Sequence, residues 1–181
     1  FYIDLHGGDL HEALEPYVRY SEEGSEEVTK ISKEAASLMG IKYICGSSSI
    51  TSSSGSAASK GIPSFLAEIG QCGLWREEEI DRYIRGLKNV LKYLKVIDGK
   101  SEPLCKVKYI NRSIGLKAKQ TGCWYSYVVP GQKVDKNEKI GEIKDYFGKS
   151  LGEYFSPVKG VIFYTVSSLA ISIGDPIIKV G

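Results

Sequence analysis

Short apolar runs and helical patterns alternate through the first hundred residues. Phe1-Tyr2-Ile3, "PYVRY", "IKYIC" and "PSFLAEIG" are apolar stretches of strand length, bounded by glycine, proline or polar clusters. Between the second and third, Ser25 is placed to cap a helix. The first turn of that helix holds Glu26 and Glu27, which suit the positive end of the helix dipole. Val28, Ile31, Ala35 and Leu38 keep one of its faces apolar, and Gly40 ends it. A longer helix is predicted from Arg76 to Ile97, where Ile80, Ile84, Leu87, Leu91 and Leu94 recur at helical spacing. Strand and helix in alternation predict an α/β layer with a mostly parallel or mixed sheet.

The rhythm changes after "DGKSEPL", a stretch of linker composition. Beyond it the apolar period is two, as in "CWYSYVV", "KIGEIKDYF" and "GVIFYTV", and no helical pattern survives. Pro130-Gly131, Lys159-Gly160 and Gly174-Asp175-Pro176 punctuate these runs as turns. The expected division is an α/β domain over residues 1–100 and a small all-β, barrel-like domain over 101–181. In the second part, "VVPGQKVDKNEKIGEI" and "SSLAISIGDPIIKVG" share a cadence that resembles the half-motifs of biotinyl/lipoyl-like barrels, with "SPVKGVI" at the connecting turn. The carrier lysine of those proteins lies in a methionine-flanked hairpin. Lys149 in "DYFGKSLGEY" has no methionine beside it and reads as an ordinary surface lysine.

Composition narrows the partners. The formal net charge is +2, split between 12 basic and 15 acidic side chains in residues 1–100 and 12 basic and 7 acidic in 101–181. The basic half scatters its lysines among strand-like segments, a solvated surface rather than a stripe that tracks nucleic-acid phosphates. No apolar run approaches the roughly 20 residues of a membrane span, and no signal-peptide pattern is present. Cys45, Cys72, Cys105 and Cys123 stand far apart with no C-x-x-C pair, which argues against a thiolate zinc site and a disulfide framework. A reducing cytoplasm is the expected compartment. The chain begins at Phe1, inside a strand-like run, so a preceding segment is expected in the natural protein.

Candidate chemistry gathers at the start. "FYIDLHGGDLHEAL" holds both histidines of the chain, His6 and His11, with Asp4, Asp9 and Glu12. His6 follows an apolar run and precedes Gly7-Gly8, a turn that lets a ligand approach a strand end. From the residues alone, a hydrogen-bonded core histidine at position 6 and a surface one at position 11 remain open. Glu68 ends the apolar run "FLAEIG", where an acid needs a reason, either a salt bridge or proton chemistry. The tract "CGSSSITSSSGSAAS" has linker composition but lies between two strand candidates, which favours a functional loop ending in a short helix near Gly55–Lys60.

Taken in order, "DLHGG", "SGSAASKGIPSFLAEIG" and "GLKNVLKYL", followed by the glycine-punctuated β half, resemble the succinylglutamate desuccinylase/aspartoacylase family. The resemblance implies a carboxypeptidase-like α/β fold with an appended β-domain, and zinc-dependent hydrolysis of an amide bond in an N-acyl amino acid or a related small molecule. It places one zinc ligand on His6, at the end of a central strand, and the catalytic carboxylate on Glu68. Asp4, or a backbone carbonyl, then orients the imidazole as an outer partner. The family's other two ligands come from an H-x-x-E motif that this chain does not contain, so they and the substrate-gripping arginines are expected upstream of Phe1. His11 is read as a bystander, and a homo-oligomer is an open expectation. The alternative is a non-catalytic binding or assembly module, and a lipoyl-type carrier at Lys149 stands behind it.

Overall fold

Ser25 starts the first helix. Its Oγ accepts a hydrogen bond from the Val28 amide at 3.3 Å, and Glu26 and Glu27 fill the first turn. This helix is one of three, among fourteen strands, in the computed structural model, which describes residues 1–181. In chain order the elements are β1 (Tyr2–His6), β2 (Glu12–Leu14), β3 (Tyr17–Ser21), α1 (Glu26–Ser37), β4 (Tyr43–Ser47), α2 (Ser53–Ser59), β5 (Ser64–Glu68) and α3 (Glu77–Tyr93). The remaining strands are β6 (Lys108–Ile110), β7 (Ile114–Lys117), β8 (Gly122–Ser126), β9 (Lys133–Val134), β10 (Lys139–Lys144), β11 (Ser150–Phe155), β12 (Gly160–Val166), β13 (Ala170–Ile171) and β14 (Pro176–Val180). The result is a mixed α/β chain whose second half is all strand. No helix is long and apolar enough to cross a membrane.

Two compact units form, and they interleave in sequence. The first comprises Phe1–Gly7, Pro16–Gly70 and Leu74–Asn111, and the second Gly8–Glu15, Gln71–Gly73 and Arg112–Gly181. In the first unit the sheet runs β1-β5-β3-β4-β6, with β3 antiparallel to β5 and the other pairs parallel. Val18, Tyr20, Ile44, Phe65, Ala67 and Ile69 of its strands and their ends share a core with Ala35, Ala36 and Met39 around α1 and Val90 of α3. Full burial of side chains such as Phe65 and Ile44 contributes about 1.5–3 kcal/mol each. Ser32 ties helix to sheet, its Oγ accepting from the Ser64 amide at 2.9 Å while donating to the Val28 carbonyl at 2.7 Å.

Two expectations change here. Helix α3 is shorter than predicted, and Ile80 and Ile84 are exposed, because Tyr83, Leu87, Val90 and Tyr93 carry its sheet-facing side. The linker-like segment before β6 is tied down. Buried Asn89 donates to the carbonyls of Leu38 and Glu102 at 2.9 and 2.6 Å, and its Oδ1 accepts from the Glu102 amide at 2.9 Å.

The second unit holds two sheets, β11-β10-β8-β13 and β2-β12-β14-β7, with β9 paired to β12. Trp124, Ile140, Ile143, Tyr154, Ile162, Ile177 and Ile178 are among its core residues. On β10, Glu142 accepts from Lys144 at 2.8 Å, from Lys139 at 3.4 Å and from the Tyr127 hydroxyl, while Lys139 also meets Glu153 at 2.6 Å. The hydrogen bonds from Lys144 and Tyr127, with the Lys139 charge, pull the Glu142 carboxyl from its ordinary 4.5 to about 2.

Two predictions follow from this packing. An added Cβ at Gly86 of α3 would lie 2.4 Å from the Met39 carbonyl oxygen. Gly86→Ala would gain about 1 kcal/mol of helix propensity, but the clash is with backbone and forces α3 to shift. The net expected change in urea denaturation is a loss of about 1–3 kcal/mol; a neutral or stabilised variant would show that α3 moves freely. Because the carboxyl pKa of Glu142 is lowered on folding, its contribution is complete above about 4.5 and is lost as the pH falls toward 2. Melting temperatures across that range should therefore fall less steeply for Glu142→Gln than for the parent chain, and equal slopes would contradict the assignment.

Candidate functional site

Parallel pairing of β1 with β5 sets Ile3 opposite Phe65, Asp4 opposite Leu66 and His6 opposite Glu68. Ile3, Phe65 and Ala67 pack on the helix-covered core, so strand alternation puts Asp4, His6, Leu66 and Glu68 on the other face. There the imidazole lies between two carboxylates. His6 Nδ1 is 3.3 Å from Glu68 Oε2, and Nε2 is 3.2 Å from Asp4 Oδ1. The His6 side chain is 46% exposed and that of Glu68 only 9%, so the pair joins an open imidazole to a nearly buried acid. Ser53, in the first turn of α2, donates its hydroxyl to Asp4 Oδ2. The serine tract thus folds into a turn and a short helix beside the strand ends, its Ser52 Oγ accepting from the Gly55 amide at 3.1 Å.

The strand ends are held from behind. The Tyr83 hydroxyl of α3 accepts from the Ile69 amide at 2.9 Å and directs its single proton at the carbonyls of His6 and Ala67, 2.5 and 2.8 Å away. Burial, with Glu68 and Asp4 nearby, pushes this phenol well above its ordinary pKa, so it stays protonated as a donor. Gly70 leaves β5 with φ +109, and a Cβ there would lie 2.7 Å from the Gly7 oxygen. Only glycine allows the two exits to run this close.

The structure therefore brings His6, Glu68 and Asp4 together. His11 belongs to the second unit, exposed, its carbonyl accepting from the Ser167 amide at 2.8 Å. Ser53 and Tyr83 escaped the sequence reading; one lay hidden among many serines and the other within a helical stripe. Chemically, the arrangement offers one imidazole as a metal donor and one carboxylate able to take and return a proton. A catalytic zinc takes three protein ligands, and no group of three or more His, Cys, Asp or Glu side chains here is arranged to hold a metal. These residues do not make a zinc site by themselves.

Tyr83→Phe removes the hydroxyl that joins these three backbone groups. It should cost about 1–3 kcal/mol in urea denaturation and speed amide hydrogen exchange at Ile69. Unchanged exchange there would show that the strand ends need no clamp.

Solved structures share this fold. The ectoine utilization protein EutE (DoeB) from Ruegeria pomeroyi, in its apo form, superposes over 99% of this chain with a TM-score of 0.88 at 17% identity. A succinylglutamate desuccinylase/aspartoacylase from Rhodobacter sphaeroides covers 98% of this chain with a TM-score of 0.84 at 21% identity, and a succinylglutamate desuccinylase from Silicibacter sp. covers 98% with 0.85 at 17%. The chain spans 59%, 56% and 57% of those three proteins respectively. No curated protein matches it in sequence. Residues 1–94, just over half of the chain and including Asp4, His6 and Glu68, match the Succinylglutamate desuccinylase/Aspartoacylase catalytic domain. The chain belongs to the succinylglutamate desuccinylase/aspartoacylase family.

Proposed function

We propose that the protein is a zinc-dependent, carboxypeptidase-like deacylase that hydrolyses the amide bond of an N-acyl amino acid or a related small molecule. The observation that carries this reading is the contact between His6 and Glu68, 62 residues apart in sequence and 3.3 Å apart across β1 and β5. A solvent-open imidazole beside a nearly buried carboxylate is a pairing that hydrolysis can use and that packing alone does not require. His6 is one zinc ligand, and the others come from polypeptide beyond these 181 residues, as the greater length of the structural relatives allows. Asp4, held by Ser53, keeps the imidazole in its orientation.

Glu68 does the proton work. Its carboxylate takes a proton from the attacking water and delivers it to the amine as the amide bond breaks, leaving a carboxylate and a free amine. The strand register and the Tyr83 clamp hold it in place for both steps. The second unit, all strand and carrying Lys149 as a surface residue, is a barrel-like appendage to the catalytic unit.

The test is an assay of the full-length protein on a panel of N-acyl amino acids with added zinc. Glu68→Gln should lower kcat by about 10²–10⁴-fold with folding intact. His6→Ala should lose both activity and tightly bound zinc, measured by elemental analysis after dialysis. The 181-residue chain alone should be inert and bind zinc weakly, because a single imidazole competes poorly for a metal that takes three fixed donors. Near-normal turnover by Glu68→Gln, or by the isolated chain, would overturn the reading.

A further inference from the structure

The chain leaves β1 and β5 by two loops that both pass through the second unit. After Gly7 it enters that unit as Gly8–Glu15, and after Gly70 as Gln71–Gly73. The loops run side by side from the start, where a Cβ on Gly70 would meet the Gly7 carbonyl oxygen at 2.7 Å. They are still paired further on. The Cys72 amide donates to the Glu12 carbonyl at 2.9 Å, and a Cβ on Gly73 would lie 2.5 Å from Cδ2 of Leu10.

The second unit holds these loops through β2, an outer strand of the sheet β2-β12-β14-β7. Register sets Glu12 opposite Val166, Ala13 opposite Thr165 and Leu14 opposite Tyr164. The Ser167 amide donates to the His11 carbonyl and the Glu15 amide to the Phe163 carbonyl, each at 2.8 Å. In an antiparallel ladder such bonds recur at every second residue. Ala13 therefore bonds Thr165, and the Glu12 carbonyl turns away from β12 toward Cys72. Cys72 holds φ +55, a left-handed conformation that a residue other than glycine keeps only where its surroundings enforce it. Its thiol, 3.5 Å from both the Glu12 carbonyl oxygen and Ser167 Oγ, makes two of the contacts that do so.

Little slack remains between this seam and the site. Only three residues separate Cys72 from Glu68, and five separate Glu12 from His6. Of the three, Ile69 is bonded to the His6 carbonyl and to Tyr83, and Gly70 abuts Gly7. A shift of β2 on β12 is thus passed to the strand ends rather than absorbed.

We propose that the second unit sets the alignment of Glu68 with His6 through this seam, with Ala13 and Cys72 as positioning residues. The functional part of the claim rests on the deacylase reading. An appendage that only enlarged the protein would have no need to capture the loops that follow both members of the pair. Catalysis is sensitive to displacements of about 1 Å, well within what a released edge strand allows.

The test uses the full-length protein. Ala13→Pro removes the ladder amide and frees β2. Cys72→Ala removes the thiol contacts but keeps the amide, and Cys72→Ser restores a donor. Ala13→Pro should lower kcat per folded molecule at least about tenfold, with KM within about threefold. Cys72→Ala should lower kcat by about threefold, and Cys72→Ser should recover it. Hydrogen exchange of the ligand-free proteins, followed well below melting, is the second readout. Fast exchange of the Glu15 amide in Ala13→Pro shows that β2 is free. The Ile69 amide should then exchange at least about tenfold faster, while the Ile44 amide in the core strand stays protected. A seam that is merely structural would lower the melting temperature and leave kcat per folded molecule as in the parent, and that result with β2 free overturns the proposal. A fall in kcat without faster exchange at Ile69 places the effect elsewhere and overturns it as well. If Ala13→Pro does not fold, or Glu15 stays protected, the Cys72 variants decide by the same two readouts. If the parent hydrolyses no N-acyl amino acid, the deacylase reading fails by itself and Ile69 exchange decides on the seam; faster exchange supports it and parental exchange overturns it.

Discussion

The parallel pairing of β1 with β5 is the constraint on which the first unit's chemistry depends. Side chains alternate along a strand, so a slip of one residue would turn Asp4 and His6 into the core and leave Glu68 facing Leu5 or Gly7. Both ends of the pairing are fixed. The Tyr2 amide donates to the Pro63 carbonyl at 2.9 Å where the strands begin, and the Ile69 amide reaches the His6 carbonyl at 3.2 Å where they end. Phe1 meets Phe65 edge to face, with ring centroids 5.7 Å apart. Tyr83 then joins both strand ends to α3 through a single hydroxyl. A site whose residues lie 62 positions apart needs such redundancy, because no local segment holds them together.

Much of this was legible in the chain. Apolar runs bounded by glycine and proline marked β3, β4 and β5, and Ser25 with its two glutamates marked the start of α1. The motifs at His6 and Glu68 pointed to two strand ends, and the structure sets them against each other. What the sequence could not disclose was neighbourhood. An apolar run says that a strand is buried, not which strands flank it, and β5 stands between β1 and β3. Nor does a helical stripe say which of its residues face the sheet, and so Ile80 and Ile84 were credited with a burial that falls to Tyr83. Interleaving was hidden as well, since Glu12–Leu14 reads as the tail of the first motif but pairs with β12.

Polar side chains divide into those that complete the structure and those it leaves waiting. Asn89 satisfies three backbone partners and Glu142 is enclosed by two lysines and a tyrosine. Such groups are finished, and their removal leaves orphaned partners. Arg19 is the opposite case, a half-buried cation with an unmet Nε. Folded proteins retain few groups of that kind, because each one subtracts from a small net stability.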